Sequence, residues 1–139
     1  MVIGMNTKML IEEACDARLF SYSPYSNFMV GAALLAKNGA VFTGCNIEGS
    51  TFSQTNCAER TAFFKAISEG VNDFEAICIV GGPRDVKEFD YCFPCGVCRQ
   101  VMVEFCDKDF KIRVAKSTDD YKIYTLGEFL PFAFDKNML

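Results

Sequence analysis

Phe28-Met29-Val30-Gly31-Ala32-Ala33-Leu34-Leu35-Ala36 is the longest uninterrupted apolar run of the chain, and its reading decides the architecture. Its nine residues fall short of the ~18 or more that a membrane-crossing helix needs. No polar position marks a solvent face, so the run predicts a strand buried on both sides. Lys37-Asn38-Gly39 follows as a hairpin signal in which Gly39 accepts positive φ, and Ala40 to Cys45 reads as the returning strand. A strand buried on both faces requires helices above and below its sheet.

The flanking sequence supplies them. Residues 8–20 read as an amphipathic helix capped by Asn6 or Thr7, with Leu10, Ile11, Ala14, Cys15 and Leu19 as its apolar stripe. Ser21 to Asn27 is loop. Residues 56–69 form a second helix ended by Gly70, with Ala58, Ala62, Phe63, Ala66 and Ile67 facing inward. Phe74 to Val80 is a strand, Gly81 to Tyr91 a polar loop, and Cys95 to Cys106 a helix opened by Pro94. Phe110 to Ala115 and Tyr121 to Leu126 read as strands joined by Lys116 to Asp120, and a short helix or turn carries Phe129 to Phe134. This order predicts an α/β fold, a three-layer α/β/α sandwich around a mixed five-stranded sheet, as one domain over residues 1–139.

Charge narrows the function. Fourteen basic against 18 acidic side chains give a net charge of −4, and no run of Lys or Arg occurs. Binding to a nucleic-acid polymer is disfavoured, since it draws on clustered cations, whereas a small uncharged substrate is compatible. There is no histidine, so acid/base work falls to a carboxylate, a thiol or a metal's water. No basic segment with a cleavage site opens the chain and no apolar stretch spans a bilayer, so a cytoplasmic protein without membrane contact is expected. In that reducing compartment eight cysteines argue for metal-bound thiolates rather than disulfides.

Cys57-Ala58-Glu59-Arg60 and Pro94-Cys95-Gly96-Val97-Cys98-Arg99-Gln100 offer three thiols and one carboxylate. Three ligands with a fourth position left for water describe a catalytic zinc, so Cys57, Cys95 and Cys98 are the expected metal ligands. Glu59 is the expected catalytic proton shuttle. Both predicted helices begin at their cysteines, where free N–H groups favour thiolate. Arg60, three residues after Cys57, falls on the same helix face and is expected to donate to ligand sulfur. Cys92, Cys95 and Cys98 also form Cys-x-x-Cys-x-x-Cys, which keeps a closed structural zinc, an iron–sulfur cluster and a non-catalytic zinc-binding module open as alternatives. Asn46 and Glu48 stand two apart after a strand and so project to one side.

Taken together, these motifs resemble the cytidine deaminase family, in its small, homotetrameric, three-cysteine zinc type. Tyr25-Ser26-Asn27-Phe28, Val30-Gly31-Ala32-Ala33, Gly44-Cys45-Asn46-Ile47-Glu48, Cys57-Ala58-Glu59-Arg60-Thr61-Ala62 and Leu130-Pro131-Phe132-Ala133-Phe134 occur in the family's order. The resemblance implies the α/β/α fold and zinc-dependent hydrolysis of cytidine and deoxycytidine to uridine and deoxyuridine in pyrimidine salvage. It implies that Asn46 and Glu48 bind the ribose hydroxyls and that Phe28 stacks on the base. Backbone groups at Ala58 and Cys95 would meet the pyrimidine O2 and the departing amine, and Phe134 would close the pocket of a neighbouring subunit within a homotetramer that shares its active sites. Gly49-Ser50-Thr51-Phe52 and the long Gly81–Tyr91 loop depart from the family pattern, so another aminopyrimidine nucleoside such as blasticidin S remains an alternative substrate.

Overall fold

A computed structural model describes residues 6–139. Helix α1 spans Thr7–Arg18, with the Asn6 side chain accepting from the Met9 N–H at 2.8 Å as its cap. It ends two residues earlier than its pattern predicts. Leu19 is 69% exposed, whereas Arg18 is buried, because Arg18 lies four residues beyond Ala14 and seven beyond Ile11 on the inward stripe.

The hairpin forms as read, with β1 over Phe28–Ala36, β2 over Val41–Cys45 and Gly39 at φ +92° between them. Helix α2 is Ala58–Ser68, β3 is Phe74–Pro83, α3 is Gly96–Phe105, β4 is Lys111–Ser117 and β5 is Asp120–Thr125. The strands line up as β2-β1-β3-β4-β5, parallel only between β3 and β4. This is the mixed five-stranded sheet expected.

Alternation along β1 divides the core. Ala32, Leu34 and Ala36 join Phe63, Met102, Ile77, Ile79 and Ile112 under α2 and α3, while Ala33 and Leu35 join Leu10, Ile11, Ala14 and Val80 under α1. Phe63 meets Phe74 edge-on at 5.0 Å between centroids. Burial of these side chains is the main stabilising term.

Besides the early end of α1 and a β4 that runs on to Ser117, two further elements differ from expectation. Strand β3 continues through Gly81, Gly82 and Pro83, which pair with Val30, Met29 and Phe28. The double glycine reads locally as a loop, but the first three residues of β1 need partners and the tertiary pairing prevails. The Arg18 side chain locks this end, donating to the carbonyls of Met29, Gly82 and Pro83 at 3.0, 2.8 and 2.9 Å. At the other terminus Leu126 belongs to a short helix α4, Leu126–Phe129, rather than to β5. Thr125 and Glu128 cap each other reciprocally, a signature that outweighs the strand pattern. Residues beyond it turn, and a 3₁₀ turn closes the chain at Lys136–Met138.

Two glycines bring the helices down onto the sheet. A Cβ at Gly31 would lie 2.0 Å from the Ala14 carbonyl oxygen, and one at Gly44 would lie 2.4 Å from that of Ala58. Contact at Gly44 sets the first turn of α2 against the end of β2, delivering Cys57 and Glu59 beside Asn46.

Candidate active site and metal centre

Cys57 is the N-cap residue of α2 and Cys95 that of α3, each in extended backbone conformation with its thiol free of any capping bond. Cys98 lies in the first turn of α3. The three sulfurs lie within 4.8 Å of one another, with Cys57 to Cys95 at 3.7 Å and Cys95 to Cys98 at 3.6 Å. A disulfide would need about 2.05 Å. Sulfurs at tetrahedral positions 2.3 Å from one zinc would stand about 3.8 Å apart, so the cluster is shaped for that ion.

The thiols share charge unequally: Cys57 holds it, whereas the hydrogen bond to Cys57 and burial push the Cys98 thiol up. The Cys57 thiol is pulled down to about 5, first by the hydrogen bond from Cys98 and then by those from Arg60 and Cys95. Arg60 Nη2 reaches Cys57 Sγ at 3.3 Å, which places the expected guanidinium at the ligand set. Cys92 does not join the three. Its sulfur packs on β3, 2.8 Å from where a Gly81 Cβ would be, and burial pushes its thiol up to about 12. The three-sulfur group therefore keeps an open side, which a closed structural zinc would not.

Glu59, one residue after Ala58 in α2, is buried at 4% exposure. Burial pushes its carboxyl up to about 7. The Cys57 charge pushes the same way, while its own N–H, Cys98 and Arg60 pull only partly back. A carboxyl poised near neutrality both accepts and donates protons.

One cavity of about 320 Å³ gathers Phe28, Asn46, Glu48, Cys57, Ala58, Glu59 and Cys95 on its walls. Asn46 spends most of its amide on the protein: Oδ1 accepts from Ser21 Oγ and from the Val30 N–H, and Nδ2 donates to the Phe28 carbonyl at 2.8 Å. One Nδ2 proton stays available. Glu48 accepts through Oε1 from the Tyr25 and Ser26 N–H groups and through Oε2 from Ser26 Oγ. The Ser26 hydroxyl foremost holds its carboxyl below the usual range, so it presents a charged acceptor. Phe134 is not on this wall. It is 61% exposed, and its carbonyl accepts from Gln100 Nε2 at 2.8 Å.

Ser26, Thr55, Asn56, Cys92 and Phe93 also line the cavity, and sequence reasoning gave them no role there. Ser26 was within reach, since it sits in a family-like block. The others arrive through tertiary packing alone.

Residues 5–114 match the model of the cytidine and deoxycytidylate deaminase zinc-binding region. The cytidine deaminase of Sporosarcina psychrophila is 46% identical over 135 residues, 97% of this chain and 96% of that protein. The chain belongs to the cytidine deaminase family. A second relative, the cytidine deaminase of Halalkalibacterium halodurans, is 48% identical over 130 residues, 94% of this chain and 95% of its own. Among solved structures, the cytidine deaminase of Burkholderia pseudomallei superposes with a TM-score of 0.84 at 42% identity, covering 94% of this chain and all of that one. The α/β/α sandwich is thus the cytidine deaminase fold, and the family's zinc-binding region encloses both cysteine motifs, so zinc is the metal that the thiol cluster fits. Among the described residues no helix is long and apolar enough to cross a membrane.

Proposed function

We propose that this protein hydrolyses cytidine and deoxycytidine to uridine and deoxyuridine with release of ammonia, using zinc held by Cys57, Cys95 and Cys98. The observation that carries the reading is the meeting, in one cavity, of a buried carboxyl near neutrality, the Cys57 and Cys95 side of the three-thiol cluster and a polar edge formed by Asn46 and Glu48. When bound, zinc supplies Lewis acidity that brings the ionisation of water into the neutral range.

The chain's own residues do the rest. Glu48 accepts a sugar hydroxyl and Asn46 donates its remaining Nδ2 proton to another, fixing the nucleoside by its sugar. Phe28, on the same wall, stacks on the base. Backbone groups at Ala58 and Cys95 meet the pyrimidine O2 and the departing amine. Glu59 takes one proton of the attacking water and passes it to N3 as the oxygen bonds to C4, then takes the remaining hydroxyl proton of that adduct and delivers it to the amino nitrogen, so that the C4–N bond breaks, C4=O forms and ammonia leaves. Arg60 withdraws charge from Cys57 and steadies the ligand set. Closure is by Phe134 of a neighbouring subunit within a homotetramer, which is supported by a ring exposed outside its own cavity and tethered to α3 by Gln100. The chain works as one domain in the cytoplasm, a compartment suited to eight unpaired thiols.

The test is incubation of the purified protein with cytidine, deoxycytidine, cytosine, CMP and blasticidin S while ammonia release is followed. Turnover of the two nucleosides is predicted. Activity on blasticidin S alone would reassign the substrate, and zinc retention with no ammonia from any compound would make the protein a zinc-binding module.

A further inference from the structure

The sugar carboxylate and the base-stacking ring of the proposed site meet at one hydroxyl. Ser26 Oγ donates to Glu48 Oε2 and accepts from the Phe28 N–H at 3.1 Å. The Tyr25 and Ser26 N–H groups add bonds of 3.0 and 3.2 Å to Glu48 Oε1. A carboxylate has roughly four acceptor positions. The Tyr25-Ser26 segment fills three of them, leaving one free on a carboxylate that lines the proposed substrate cavity together with Ser26.

A serine bonding the N–H two residues ahead is often only a local turn. Here the hydroxyl proton instead leaves the turn for a carboxylate 22 positions away, three residues past the end of β2. Between them, Asn27 takes φ 58°, a left-handed conformation that asparagine tolerates, so the turn is held in a form that presents Ser26 to Glu48. The Ser26 bond is also the foremost cause that lowers the Glu48 carboxyl below the usual range.

We infer that Ser26 is a positioning residue for the substrate: its hydroxyl fixes the single free lone pair of Glu48 on the sugar in register with the Phe28 ring on the base. The inference rests on the deaminase reading above. Losing a hydrogen bond to the charged Glu48 frees that carboxylate to turn away from the sugar, and the loss falls most heavily on substrates that carry the sugar hydroxyls.

Steady-state kinetics of wild type, Ser26→Ala and Ser26→Thr on cytidine and on dideoxycytidine, which lacks both ring hydroxyls, test it. Ser26→Ala is expected to raise KM for cytidine about tenfold, with a much smaller fall in kcat, from the loss of one bond to a charged acceptor. Its loss on dideoxycytidine is expected to be several-fold smaller, and Ser26→Thr, which keeps the hydroxyl, restores the cytidine KM. A wild type that releases no ammonia from cytidine overturns the deaminase reading and this inference with it. An active wild type whose alanine variant loses equally on both substrates, or on neither, overturns the inference alone. An alanine variant that no longer folds, judged by circular dichroism, assigns the hydroxyl a purely structural role and also overturns it.

Discussion

Glu59 combines deep burial with a carboxyl raised to about 7, chiefly by that burial and also by the charge of Cys57. Replacing it with the isosteric amide removes the proton shuttle without opening a cavity. Glu59→Gln is therefore expected to lose roughly 10²–10⁴-fold in turnover while keeping its zinc and its melting temperature, measured by ammonia release, metal analysis and calorimetry. A near-normal rate would remove Glu59 from the mechanism. Arg60→Gln and Cys92→Ser form a contrasting pair. Arg60 touches Cys57 Sγ at 3.3 Å, so its loss should speed zinc transfer to a chelator by about tenfold or more. Cys92 packs on Gly81 apart from the three sulfurs, so its serine variant should hold zinc as the wild type does. The thiols and Glu59 were legible in sequence because metal and proton chemistry restrict residue type and spacing. The role of Arg18 was not. An arginine near a helix end ordinarily reads as surface, and the partners of Arg18 lie on strands brought up by the fold.

At the scale of elements, helix starts place the chemistry, and their position depends on how closely α2 approaches β2. Gly44→Ala would push a methyl to within 2.4 Å of the Ala58 carbonyl oxygen and 2.6 Å of the Ala62 nitrogen. The clash should cost about 1–3 kcal/mol of stability and also weaken zinc retention, because the displaced turn carries Cys57. Gly31→Ala meets α1 instead, at 2.0 Å from the Ala14 carbonyl oxygen, and should destabilise comparably or more while leaving the metal in place. Thermal melting beside metal analysis separates the two, and equal zinc loss in both would contradict this division of labour. The hairpin and both cysteine helices could be read directly, since apolar runs, a turn glycine and Pro94 act locally. The far end of β3 could not, because Gly81 and Gly82 gain strand structure from Met29 and Val30 across the sheet and, at Gly81, from a bridge to Asp90, all of them tertiary pairings.

For the whole molecule, family membership and the fold stand together: a TM-score of 0.84 and 46% identity each extend over nearly the entire chain. Composition had pointed the same way, with a net charge of −4 unsuited to a nucleic-acid polymer. Assembly was open to sequence only through resemblance. Phe134→Ala is expected to raise KM for cytidine several-fold, and light scattering of the wild type is expected to show four chains; a fully active monomer would contradict the shared cavity. The most direct test of the central claim is mass spectrometry of the nucleoside formed from cytidine in water enriched in heavy oxygen, alongside quantitation of ammonia. Hydrolysis at C4 predicts uridine carrying one heavy oxygen on that carbon for each ammonia released; unlabelled product, or intact cytidine beside zinc-loaded protein, would contradict it.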